Sequence, residues 1–372
     1  MITKDFFLNN SKKSLKNNLT NKILSASNSF DFHKSQSYYN NTSLYKLDNL
    51  SIELGLKSVS IKDESERFGL DSFKILGSTY ALHEILKEKK YINTFCTATD
   101  GNHGKGLAWA SRKLNKNCIV YVPKDTSTER INSIKKQDAK VKKLDLNYED
   151  TCIYASDESK TNDWCLVQDA SWDNYEEIPA LIMSGYLTHF KEIEYPKKDS
   201  DKSKYDVIFL QCGVGSWAAS CIWYYYNFYN ENRPKIVLIE PEEACGVYES
   251  FLKGKRSTPT TSFKTIMAGL NCGIPSKSAW EIIKRGCDAV LKISDSDVKK
   301  AMTRLYYSKN NDPKIISGES GAAGLAGLLK LINNKDLIEL KSFLNINSES
   351  KILLFNTEGD TDKKNFKKII ES

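Results

Sequence analysis

An α/β fold built on parallel sheets is what this sequence predicts, and three patterns carry the prediction. From Lys57 onward, short apolar runs alternate with segments of helical periodicity, the order that crossover connections between parallel strands require. Two of those runs end in glycine-bearing turns that open directly into helical segments: Thr97-Ala98-Thr99-Asp100-Gly101-Asn102 and Leu210-Gln211-Cys212-Gly213-Val214-Gly215-Ser216. The 372 residues are enough for two domains with a large core, and no apolar run approaches the roughly 20 residues a membrane helix needs.

The first forty residues are rich in Asn, Ser and Lys, with weak periodicity, and are expected to form an extended or partly ordered arm. Strands are then expected at 95–97, 119–122, 141–144 and 165–167, with helices at 104–114, 128–136 and 148–160 between them. That block reads as a small four-stranded α/β unit. A second series places strands at 207–210, 236–239, 289–293 and 352–355, and helices at 217–229, 296–307 and 321–331. No repeat at a fixed period stands out.

Composition narrows the function classes. The formal charge of +7 is thinly spread, and lysine clusters such as Lys87-Glu88-Lys89-Lys90 are mixed with acids, as on solvated helix faces rather than a nucleic-acid surface. The opening Met1-Ile2-Thr3-Lys4-Asp5-Phe6-Phe7-Leu8 lacks the basic segment and apolar core of a secretory signal. Nine cysteines without paired ligand spacing, and only four histidines, make no zinc pattern. Cys118, Cys165, Cys212 and Cys221 sit in apolar runs and read as small core residues, which suits a reducing cytosol. Cys245 and Cys272 fall in loop-like stretches, where a disulfide between them stays open.

Ser72-Phe73-Lys74-Ile75-Leu76-Gly77 opens a helix expected over 75–87, with Leu76, Tyr80, Ile85 and Leu86 facing inward. In so lysine-rich a chain the default for any lysine is a solvated surface position. Lys74 departs from it because apolar residues flank it on both sides. Burial near a helix N-terminus is expected to disfavour its charged form, and a neutral amine is a nucleophile toward an aldehyde. In Gly213-Val214-Gly215-Ser216 two glycines let backbone N–H groups converge at a helix start, which favours a phosphate. Alone, that loop is equally an ordinary strand-to-helix turn. It lacks the third glycine of a dinucleotide fingerprint and the Gly-Lys-Ser ending of a triphosphate loop. Asn102 fits a helix cap as readily as a ligand contact, and Ser320 an N-cap before a helix at Gly321. His103 reads as a packing or cap residue, and Asp100 and Asp169 as turn or strand-end carboxylates.

Together, Lys74, the Asp100-Gly101-Asn102-His103-Gly104 helix start and the glycine loop resemble the fold type II pyridoxal-phosphate enzymes. Within that group the wording is similar to the diaminopropionate ammonia-lyase family. The matching stretches are 62–77, 99–106, 168–169, 213–216, 265–273, 318–322 and 356–362, spread over most of the chain from about Leu44. Thr265-Ile266-Met267-Ala268-Gly269-Leu270 and Asn356-Thr357-Glu358-Gly359-Asp360-Thr361-Asp362 are the longest and least common of them.

The resemblance implies a two-domain α/β fold. A large cofactor-binding domain would come from 1–93 and 190–372, and a smaller domain, 94–189, would be inserted into it. Pyridoxal 5'-phosphate would lie in the cleft between them. Lys74 would hold it covalently, Asn102 its 3-hydroxyl oxygen, and Gly213, Val214, Gly215 and Ser216 its phosphate. A neutral hydroxyl, Thr357 ahead of Asn356 or Thr361, would face the pyridine nitrogen. Asp100 and Asp169 would lie on the substrate side and hold a distal ammonium, with Lys74 the base for the L-isomer and Asp100 the base for the D-isomer. The implied reaction is α,β-elimination of 2,3-diaminopropionate to pyruvate and ammonia, by a cytoplasmic homodimer whose partner is a small amino acid, neither nucleic acid nor membrane. A serine or threonine dehydratase on the same fold would have no use for two carboxylates there, and the intact residue set speaks against a binding protein without turnover. One departure stands out: Asn41-Thr42-Ser43-Leu44 replaces the family's Pro-Thr-Pro-Leu, which questions the rigidity of that segment.

Overall fold

The computed structural model describes residues 4–10, 14–15, 18–195 and 202–372. In chain order its strands are β1 (Phe6–Leu8), β2 (Leu44–Lys46), β3 (Ser58–Asp63), β4 (Thr94–Ala98), β5 (Asn117–Val122), β6 (Lys140–Lys143), β7 (Cys165–Leu166), β8 (Val207–Gln211), β9 (Lys235–Pro241), β10 (Ala289–Ile293) and β11 (Lys351–Asn356). Seven form a sheet in the order β1-β10-β9-β8-β11-β3-β2, and four form a second in the order β6-β5-β4-β7. All pairings are parallel except at the two edges of the larger sheet, where β1 runs antiparallel to β10 and β2 to β3. Helices cover both faces of the parallel strands, so β8 reads as a continuous apolar run, Val207-Ile208-Phe209-Leu210, with every side chain buried. The chain leaves the larger sheet after β3, builds the smaller one, and returns at β8.

The arm differs from the expectation. Its described part holds β1 and two helices, Leu19–Ser25 and Ser29–Lys34; residues 1–3, 11–13 and 16–17 of it lie outside the described residues. Local sequence supports the first helix, because the Asn18 side chain caps it by accepting from Asn21 N. The second is held by partners distant in sequence: buried His33 hydrogen-bonds Thr188 and Thr79. Glu177–Glu194 is a helix without a counterpart in the sequence reading. It is apolar nearly all round, since it runs between the helices Lys74–Glu88 and Ser216–Tyr229, and a helix buried on every side shows no stripe. It crosses the Lys74–Glu88 helix at glycines. A Cβ on Gly185 would lie 2.3 Å from the Leu76 carbonyl oxygen, and one on Gly77 would lie 2.6 Å from Ile182 and Tyr186.

Beneath this crossing lies a buried ionic network. The Arg67 guanidinium lies 2.7 Å from carboxylate oxygens of Glu64 and Glu192, and Lys62 lies 2.6 Å from Glu192. Two cations thus face two carboxylates, which is what makes their burial tolerable. The network also holds the segment without prolines: Arg67 donates to the Asn40 carbonyl, Lys62 to the Thr42 carbonyl, and the Thr42 hydroxyl to Glu64. Charge-assisted hydrogen bonds therefore supply the rigidity that two prolines would have given.

Candidate active site

Four parallel strands end around one cleft of about 820 Å³, part of it open to solvent. Asp100 and Gly101 follow β4, Asp169 follows β7, Gly213 to Ser216 follow β8, and Thr357 and Glu358 follow β11; all line the cleft, as does Lys74. Residues from both sheets thus converge at the carboxyl ends of their strands.

Lys74 begins its helix, with its side chain about one-fifth exposed, and its Nζ lies 2.5 Å from Asp169 Oδ2. The expectation of a neutral amine does not hold here. Burial alone would lower the amine's pKa, but the Asp169 carboxylate in contact with it outweighs burial, and the net shift is upward. Asp169 shows the reverse balance: burial pushes its carboxyl up, while Lys74 and then His103 pull it down to about 2. His103 keeps to its packing reading. Its Nε2 donates to the Val167 carbonyl at 2.7 Å, and burial lowers its pKa. Asp100 has no cation in contact among the described residues, and burial raises its carboxyl to about 7.

Asn102 is the first residue of the helix Asn102–Lys113, not its cap; Gly101 takes that place. Its side-chain amide donates to Glu358 Oε2 at 2.5 Å, and Glu358 also accepts from the Ser320 backbone N–H at 3.0 Å. Ser320 is not a cap either. Its helix begins at Ala323, and its hydroxyl accepts from Gly269 N. Of the three candidates at and beyond the end of β11, Thr357 alone lines the cleft. Gln211 Nε2 donates to its hydroxyl oxygen at 3.4 Å, which leaves the hydroxyl proton available to a ligand. Asn356 is engaged elsewhere, donating to Asp63 and to the Ile316 carbonyl.

The glycine loop has the form a phosphate needs. Gly215 precedes the helix Ser216–Tyr229 at φ +90°, where a Cβ would come within 2.7 Å of Ile283 Cδ1. A Cβ on Gly213 would fill the space against Gly269 O and Leu270 Cα, 3.2 Å away. No side chain caps this helix, so its first N–H groups remain open toward the cleft. The Ser216 hydroxyl donates to the Asp169 carbonyl and joins the loop to the smaller sheet. A phosphate cradle, a lysine, an amide and a free hydroxyl around one cleft fit pyridoxal phosphate.

All nine cysteines are free; Cys245 and Cys272 are buried without a disulfide, and Cys272 lines the cleft. Glu358, Arg130, Tyr148 and Gln211 also line it, without roles assigned from the sequence. Glu358 and Gln211 lie beside or within the quoted motifs. Arg130 and Tyr148 sit on helices at ordinary surface-like spacing, and only the tertiary fold brings them here.

The comparisons agree with this geometry. A family model described as pyridoxal-phosphate dependent enzyme matches residues 36–346. The diaminopropionate ammonia-lyase of Escherichia coli (strain K12) is 35% identical over 356 residues, covering 91% of this chain and 89% of that protein. The Salmonella typhimurium enzyme is 37% identical over 363 residues, covering 91% and 90%. The crystal structure of the Escherichia coli enzyme with an aminoacrylate-PLP azomethine reaction intermediate superposes with a TM-score of 0.89 at 34% identity, covering 98% of this chain and 96% of that one. With its lysine, glycine loop and paired aspartates around a single cleft, the chain belongs to the pyridoxal-phosphate dependent enzymes and, among them, to the diaminopropionate ammonia-lyase family.

Proposed function

We propose that the protein is a diaminopropionate ammonia-lyase, converting one 2,3-diaminopropionate and one water to one pyruvate and two ammonia. The observation that carries this reading is that Asp100 and Asp169 both line the cleft containing Lys74. A substrate with a second amine wants carboxylates around it, whereas a hydroxyl-bearing one does not. Pyridoxal phosphate, when bound, supplies an electron sink for negative charge at the α-carbon.

The chain's own residues do the rest. Lys74 holds the cofactor through its amine, Gly213, Val214, Gly215 and Ser216 take the phosphate, Asn102 the 3-hydroxyl oxygen, and Thr357 the pyridine nitrogen. The freed Lys74 amine takes the α-proton of the L-isomer and Asp100 that of the D-isomer. Asp169, released from Lys74, accepts the distal ammonium until the β-amino group leaves as ammonia. Borohydride reduction and peptide mapping should place the pyridoxyl adduct on the Lys74 peptide, with pyruvate formed from diaminopropionate. An adduct on another lysine overturns the assignment.

The same reading includes a division into 1–93 with 190–372 and an inserted 94–189, supported by the separate sheets. It also includes a cytoplasmic homodimer, for which the free cysteines and the family membership speak; light scattering of the purified protein tests the dimer. No described helix is long and apolar enough to cross a membrane.

A further inference from the structure

Beside the catalytic cleft lies a second cavity of about 970 Å³, part of it open to solvent. Tyr148, Val214 and Cys272 line both, so the two share one wall. The wall stands near the paired aspartates, because Asp100 and Asp169 both act through space on Tyr148 and on Cys272. Beyond it the lining turns apolar, with Cys152, Ile153, Trp172, Ile274 and Pro275. Ile153 and Ile274 are 61% and 40% exposed, apolar surface left facing water. The charged residues of this cavity are engaged. Glu149 accepts from Gly273 N at 2.9 Å, Arg256 donates to the Pro275 carbonyl at 2.8 Å, and Asp157 pairs with Lys160 at 3.1 Å. The space therefore suits an apolar group.

A primary ammonium carries three N–H donors. If Asp100 and Asp169 hold the distal ammonium, they take two of them, and the third position on that nitrogen is free to carry carbon. We propose that the enzyme also eliminates substituted amines from 2-amino-3-(alkylamino)propionates, with an apolar substituent of the leaving nitrogen lodged in the second cavity. The proposal rests on the lyase reading and on those roles of the two aspartates. Two members of the shared wall are fixed: the Tyr148 hydroxyl accepts from Gln168 Nε2 at 3.1 Å, and the Val214 carbonyl accepts from Ser276 N at 2.8 Å. The Cys272 thiol makes no hydrogen bond among the described residues, and rotation about one side-chain bond swings it aside. In the reaction the base takes the α-proton and the C–H electron pair forms the bond between the α- and β-carbons. The bond from the β-carbon to the substituted nitrogen breaks, and its pair leaves with the amine. One substituted substrate and one water thus give one pyruvate, one primary amine and one ammonia, with no further reactant.

The test gives the wild-type holoenzyme diaminopropionate and its β-N-methyl, β-N-butyl and β-N-benzyl derivatives, and measures pyruvate and the released amine. Benzylamine should appear one for one with pyruvate. From methyl to benzyl, KM should fall by about 10-fold or more, as the larger group leaves water. Ser156 and Ile153 line the second cavity alone, three residues apart on the helix Tyr148–Thr161. Ser156→Trp and Ile153→Trp fill it from two positions. Each should raise KM for the benzyl derivative by about 10-fold and leave diaminopropionate unchanged. Turnover of diaminopropionate without benzylamine release overturns the proposal, as does a KM that rises with substituent size. A benzyl preference that survives both Trp variants, or equal losses on both substrates in both variants, overturns it as well. Turnover of neither substrate sinks the lyase reading and this proposal together; turnover of the benzyl derivative alone sinks only diaminopropionate as the substrate.

Discussion

Lys74 and Asp169 meet as an ion pair, Nζ to Oδ2 2.5 Å, between the first turn of a helix that follows the larger sheet and a strand end of the smaller one. The pair keeps the lysine protonated where burial alone would neutralise it. If Lys74 carries the cofactor as proposed, loading must undo the pair, because only an unprotonated amine attacks an aldehyde.

Asp169→Asn should expose the effect of burial. The amine's pKa falls, so the apoprotein acquires visible absorbance with pyridoxal phosphate at lower pH than the wild type does. Stopped-flow spectra across pH 6 to 10 report this, and an unshifted rate profile would sink the idea. The KM for diaminopropionate should rise by about 10-fold or more, as a charge-assisted contact to the distal ammonium is lost.

Asp100 titrates at about 7, so turnover of the D-isomer should climb through neutrality and level off above it, as a base must be unprotonated to act. The L-isomer should lack that limb. Asp100→Asn should depress D-turnover by about 10²- to 10⁴-fold and L-turnover far less. Equal losses would reduce Asp100 to an ammonium contact.

The same shift fixes the sign of a stability effect. A carboxyl with its folded pKa above its unfolded value of about 3.9 binds more protons when folded, so its contribution worsens as pH rises from about 4 to 7. Asp100→Asn should therefore raise the apoprotein's Tm, relative to wild type, at pH 8 and hardly at all at pH 4. A constant difference between the two pH values would contradict it.

Gly213→Val should weaken cofactor retention, because the side chain enters the space against Gly269 and Leu270 next to the phosphate loop. Dialysis followed by absorbance reads the loss. Gly215→Val should damage the fold as well, with φ at +90° and Ile283 in the way. A Tm drop confined to the second variant would separate the two effects.

Arg67→Met should leave the buried carboxylates of Glu64 and Glu192 without their shared cation. Breaking such a network from one side costs about 3–5 kcal/mol, visible as a lowered denaturant midpoint. A midpoint within experimental scatter of the wild type would show that the carboxylates protonate or take up water instead.

Much of this site can be read in the chain itself. Glycine and polar residues after apolar runs mark the ends of parallel strands, which is where Asp100, Asp169, Gly213 and Thr357 are found. Strand 289–293 was expected at the bounds it has. What escaped depended on partners distant in sequence. The charge of Lys74 follows from a carboxylate 95 residues away, which no local flank reports. Arg130 looks like any first-turn surface arginine until Gly101 is folded beneath it. The helix Glu177–Glu194 hides its periodicity because every face is covered.

Where two helices touch through side chains, a changed rotamer can absorb a misfit. Gly185 meets the Leu76 carbonyl without any such cushion, and Leu76 lies in the same helical turn as Lys74. Even a methyl group at residue 185 would have to move one helix bodily and carry the lysine with it. Chemistry that needs its groups held within about half an ångström is therefore hostage to a glycine outside the cleft. A mechanical tolerance this narrow thus belongs to a residue that lines no part of the cleft.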